Sequence, residues 1–185
     1  MKNRVMKPLA IALCAILLVV AAVATTVAYL TDTAEVKNTF TVGNVTITLD
    51  EAKVTAYGVK DGEDRVAENT YKLIPGHTYV KDPTIHVGAD SESCYIFFEI
   101  KNELGEAVTF DINDENWIKI DNTNVYYYKE VATAGNSYAA FTKFTVGEEA
   151  DLSGLADKEI NVIAYAVQKD GFDTAAEAWA DAFTE

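Results

Sequence analysis

Cysteine and histidine are scarce in this chain, with two of each among 185 residues. Cys14 lies inside an apolar N-terminal run, which leaves Cys94 alone in the remainder, so no intramolecular disulfide can staple the body. Burial must hold it together, and a domain of ~150 residues, which buries roughly 70% of its unfolded surface, can do so. Proline is also rare, at three. No Pro-rich or Ser/Gly-rich linker, low-complexity tract or internal repeat divides the chain, so one folded domain is expected. Positive charge is short too: 15 Lys and Arg stand against 29 Asp and Glu, a net charge of −14. Such a surface repels nucleic acid and anionic lipid and argues against both as partners, while it favours solubility and cation association.

What is present begins with a targeting layout. Lys2, Arg4 and Lys7 form a positive head before the uncharged apolar run Leu9 to Ala24. Thr26-Val27-Ala28 is a small-residue exit, so cleavage between Ala28 and Tyr29 is expected and residues 1–28 read as a signal peptide, forming a helix; an uncleaved anchor is the alternative. Cys14 follows Leu13, where lipidation takes a small residue, so a lipoprotein is rejected. Cleavage leaves 12 basic against 29 acidic residues, a net −17. No C-terminal apolar tail, stop-transfer cluster or wall-sorting motif is seen, and a secreted, extracellular or cell-surface location is expected.

The rest is a series of short alternating segments rich in Val, Ile, Thr, Tyr and Phe. Val45, Ile47 and Leu49 alternate with threonines as one strand, which runs on through Lys53 toward Val59 until Lys60-Asp61-Gly62 turns the chain. Pro75-Gly76 is a turn. Thr84–Val87 is a short strand, with Pro83 marking a start or an edge. Cys94, Ile96, Phe98 and Ile100 share one face of a central strand, with Cys94 a small buried group. Trp117–Ile120 and Val125–Lys129 form a hairpin, and Ala139–Val146 and Glu159–Val167 complete the set, the last also central. After Gly171, Thr174 and Glu177 make a capping box for a helix at about 174–183, docked through Trp179 and Phe183. The expected class is all-β: an antiparallel β-sandwich over residues 43–185 with a short C-terminal helix.

Chemistry is thin. His77 and His86 have no zinc-ligand spacing, and no local motif joins either to Cys94 as a nucleophile and base. The acidic clusters at 61–64, 90–92, 111–115 and 148–151 match no calcium loop and read as solvated surface. Tyr126-Tyr127-Tyr128 is a candidate glycan or partner platform, but tyrosine is ordinary in strands. The expectation is no enzyme, no cofactor and no metal site.

Two stretches carry a resemblance. Ala28-Tyr29-Leu30-Thr31-Asp32, followed by Asn38-Thr39-Phe40-Thr41-Val42-Gly43-Asn44-Val45, resembles the export signal and first strand of the TasA/camelysin family. Leu73 to Pro83, with its Pro75-Gly76 and Lys81-Asp82-Pro83, and Ala164 to Phe172 extend the likeness. The resemblance implies a jelly-roll sandwich, export through a SipW-type signal peptidase, and polymerisation into biofilm-matrix fibres, with other matrix proteins as further partners. It also implies that the segment freed by cleavage, residues 29–42, inserts into the next subunit as a donor strand, carried by Tyr29, Leu30, Thr31, Asp32, Ala34, Val36 and Phe40. Twelve extended residues reach about 40 Å, comparable to a domain of gyration radius near 15 Å. Alternatives are a monomeric binding module on the same scaffold and a camelysin-like metalloendopeptidase, the latter opposed by the lack of a zinc constellation.

Overall fold

The structure, a computed structural model, describes residues 44–183. The signal segment, the Ala28–Tyr29 cleavage site and the arm from Tyr29 through Phe40 to residue 42 lie outside the described residues.

The described chain is mostly β, built from antiparallel sheets. In chain order come β1 (Ile47–Val54), β2 (Lys60–Val66), β3 (Thr78–Val80), β4 (Thr84–Val87), β5 (Cys94–Asn102), β6 (Val108–Phe110), β7 (Trp117–Lys119), β8 (Val125–Tyr128), β9 (Ser137–Ala139), β10 (Lys143–Val146), β11 (Ile160–Gln168) and the helix α1 (Ala175–Phe183). Three sheets result, ordered β2-β1-β4-β9, β3-β10-β6 and β11-β5-β8-β7.

The main core forms where the first and third sheets meet. Ile85 and Val87 of β4 pack with Cys94, Ile96, Phe98 and Ile100 of β5 and with Trp117 and Phe141. Alternation explains this: β5 aims its even-numbered side chains at the core, while Tyr95 and Phe97 point the other way. Those two are covered by α1 through Ala175, Ala178 and Trp179, so β5 is buried on both faces. A smaller cluster joins Tyr79, Phe144, Val146, Val108 and Leu104.

Helix α1 starts as its sequence demands. The N–H of Glu177 donates to Thr174 Oγ1 at 3.2 Å and the Glu177 carboxylate accepts from the N–H of Asp173 at 3.0 Å. The Trp179 and Phe183 rings meet at a tilt with centroids 4.5 Å apart, and Trp179 meets Phe97 at 5.1 Å. Burial of one such ring contributes about 1.5–3 kcal/mol.

Three expectations need correction. The chain turns at Thr55–Val59, closed by Thr55 N–H to Val59 O at 2.8 Å, and Lys60-Asp61-Gly62 belongs to β2. Gly58 makes that turn: its φ is +70°, and a Cβ there would stand 2.7 Å from Tyr79 atoms. β2, Lys-Asp-Gly-Glu-Asp-Arg-Val, shows no apolar alternation because almost all of it is exposed. Ala139–Val146 is not one strand but parts of β9 and β10, which enter different sheets. Finally, β11 pairs with β5 alone among the described residues and so stands at a sheet edge rather than at its centre. The expected strands at Thr84–Val87 and Cys94–Ile100, the hairpin around Asp121–Asn124 and the C-terminal helix are all present.

Candidate functional site

The histidines take separate structural posts. His77 Nε2 lies 3.0 Å from the Tyr57 carbonyl, with its ring edge-on to Tyr79 at 4.5 Å. His86, in the middle of β4, faces Ser137 and Asp50. Cys94 is fully buried and burial pushes its thiol up to about 11, which keeps it protonated and inert. Among the described residues no three His, Cys, Asp or Glu side chains gather in a way that would hold a metal ion.

The acidic stretches also disperse. Asp61–Asp64 lies on β2. Asp111 is tied down by the N–H groups of Thr142 and Lys143, both at 2.8 Å, and by the Thr142 hydroxyl. Glu149 and Asp151 rim an open depression of about 490 Å³ floored by Leu104, Ala150 and Leu155. A second depression lies between Ile100, Phe110 and Tyr126. The three tyrosines are packing groups: Tyr126 stacks on Phe98 at 4.9 Å, Tyr128 meets Trp117 and Tyr138, and Tyr127 joins the cluster under α1.

Two features escaped the reading of residue spacing. The first is a polar network on the solvent face of β1 and β4. Arg65 reaches over from β2 to Asp50 Oδ1 at 2.5 Å, to Asp82 Oδ2 at 3.0 Å and to Thr84 Oγ1 at 2.8 Å. Partial burial pushes the Asp50 carboxyl up, but hydrogen bonds and charge from Arg65 and His86 outweigh it and hold its pKa below the usual carboxylate value. Beside it the Lys81-Asp82-Pro83 connection between β3 and β4 works as a clamp: Lys81 Nζ pairs with Glu51 Oε2 at 2.6 Å in a buried contact, and Asp82 Oδ1 accepts from Ala52 N–H. Pairing and Asn69 satisfy the buried carboxylate, whose cost would otherwise be several kcal/mol.

The second feature is an edge. Among the described residues six strands end the three sheets, and five of them are guarded by the means that prevent stray pairing. β3, β6, β7 and β9 are three residues long, and β2 carries five charged side chains in seven. β11 is nine residues long, Ile-Asn-Val-Ile-Ala-Tyr-Ala-Val-Gln, without a charge or a proline. Its core-facing Val162, Ala164 and Ala166 are only partly buried, whereas Ile96 and Phe98 on its neighbour are fully so. β1 approaches β11 within 8 Å between Cα atoms without sharing a ladder.

No family model matches the chain, and neither a curated protein nor a solved structure matches it. The class the geometry defines is a mostly-β protein of antiparallel sheets with one short C-terminal helix. Among the described residues no helix is long and apolar enough to cross a membrane.

Proposed function

We propose that this chain is an exported, non-enzymatic structural protein that assembles head to tail into extracellular matrix fibres, its N-terminal arm adding as a strand to the next subunit. The observation that carries the proposal is the unguarded edge of β11. A strand with apolar side chains on both faces and no charge has the composition of a central strand, yet it has one neighbour among the described residues. An added strand would pair with the backbone N–H and C=O groups of β11 that no other described strand meets, and cover its half-buried side chains.

The arm suits that role. Once extended, Leu30, Asp32, Ala34 and Val36 would fall on one side of the segment, and Tyr29 to Phe40 is longer than the nine residues of β11. Addition of this kind is heterologous and does not close on itself, so it propagates a filament. The fold then reads as a jelly-roll-like sandwich completed between subunits, and the resemblance to TasA-type matrix proteins, with release at Ala28–Tyr29 by a SipW-type peptidase, belongs to the same proposal.

The deciding comparison is between protein that starts at Tyr29 and protein that starts at Gly43, by size-exclusion chromatography with light scattering and negative-stain microscopy. Filaments from the first and monomers from the second are expected. Monomers from both, across pH and calcium, would replace the fibre with a monomeric binding module.

A further inference from the structure

The solvent face of β1, β4 and β9 holds a serine, an imidazole and a carboxylate in hydrogen-bonded sequence. His86 and Ser137 are directly opposed partners in the β4–β9 ladder, and Thr48, two residues before Asp50, opposes His86 from β1. His86 Nδ1 lies 2.7 Å from Ser137 Oγ, and His86 Nε2 lies 2.8 Å from Asp50 Oδ1. Ile85 and Val87 point to the core from the other face. The row is therefore reachable from solvent, and Ser137 is exposed on an edge strand.

The protonation pattern follows from the partners. Asp50, held ionised by Arg65, can only accept, so the hydrogen between it and the ring belongs to Nε2. In the neutral imidazole Nδ1 is then bare, and the Ser137 hydroxyl donates to it. This is the arrangement by which a carboxylate fixes a histidine tautomer so that the ring can take a proton from serine, with the two ring nitrogens in exchanged roles.

We propose that Ser137 is an activated nucleophile and a covalent modification site, accepting an acyl group from an activated ester or thioester with His86 as its general base. In the step, Ser137 Oγ bonds to the acyl carbon while His86 Nδ1 takes the hydroxyl proton. The bond from that carbon to the leaving group breaks, and the leaving group departs with the electron pair and receives the proton from His86. Serine ester and protonated leaving group are the products, with no change of oxidation state. Neither depression described above is lined by Ser137. The donor must accordingly carry its own good leaving group. Asp50 and Arg65 act as positioning residues, and none of this depends on whether fibres form.

The test uses the purified full-length protein with p-nitrophenyl acetate and, separately, an alkyl fluorophosphonate, read by intact mass and by mapping the adduct. Four serines in the chain, Ser91, Ser93, Ser137 and Ser153, make the mapping unambiguous. One adduct at Ser137 is expected, absent from Ser137→Ala and from protein unfolded in urea. His86→Gln should slow its formation by about 10²–10⁴-fold, the usual worth of a general base. No adduct on the parent protein, adducts spread evenly over the four serines, or a His86→Gln rate equal to the parent's would each overturn the proposal.

Discussion

Asp111 shows how much one carboxylate can organise in a chain without disulfides. It stands just beyond β6 and accepts from two N–H groups and a hydroxyl at the start of β10. Partial burial raises its pKa, but those hydrogen bonds and the charge of Lys143 outweigh burial and leave it below the usual carboxylate value. A carboxyl depressed on folding binds fewer protons folded than unfolded, so its stabilisation is complete above the unfolded pKa and is lost as pH falls through the folded one. Asp111→Ala should therefore cost about 1–2 kcal/mol at pH 7, the lower part of the range for charged hydrogen bonds because the site is half exposed. Urea unfolding of parent and variant at pH 7 and pH 3 checks this, and the gap should narrow at pH 3. An equal gap at both would mean that the side chain acts through packing rather than charge. Nothing in the local sequence marks Asp111 off from Asp114 or Glu115; only the meeting of two strands more than 30 residues apart does so.

At the scale of elements, what the sequence made legible was what local pattern controls. Alternation placed β4, β5 and the β7–β8 hairpin, and capping chemistry placed α1, because each depends on neighbours within a few positions. What stayed illegible depended on partners. β2 has no apolar period because it lies on the surface, and β9 and β10 read as one strand because the change of sheet at Ala140–Thr142 leaves no mark in composition. The Ser137, His86 and Asp50 row comes from three strands whose order no spacing rule provides. β11 is the instructive case, since its composition points to two neighbouring strands and it has one among the described residues. A charge placed on it separates its fold from its proposed role. Ile163 belongs to none of the three apolar clusters and lies opposite Glu99 in the β5–β11 ladder. Ile163→Lys thus gains an opposite-charge cross-strand pair while guarding the edge. Filament formation should be lost, with thermal unfolding shifted by no more than a few degrees. Filaments that form as before would move the acceptor away from β11.

For the whole molecule, charge sets the conditions. A chain starting at Tyr29 carries a net −17, and copies of it repel one another at neutral pH. Ionic strength of ~0.1 M screens this only beyond roughly 10 Å, a distance that strand addition must cross. Acid weakens the repulsion, but it is useful only if it spares the fold. The two kinds of carboxylate respond differently. Protonation of surface carboxylates as the pH falls lowers that net charge. Asp50 and Asp111, which tie strands together, are held below the usual carboxylate range and stay ionised to lower pH. A window therefore opens in which copies repel one another less and each one remains folded. Assembly followed by light scattering should be faster at pH 4.5 than at pH 8, and millimolar calcium at pH 8 should recover part of the difference by neutralising the same surface. Circular dichroism should show the same β content at both pH values. Equal assembly rates would place the barrier in release or alignment of the arm instead of in charge, and a loss of β signal at pH 4.5 would mean that the clamps around Asp50 and Asp111 fail before the surface is discharged.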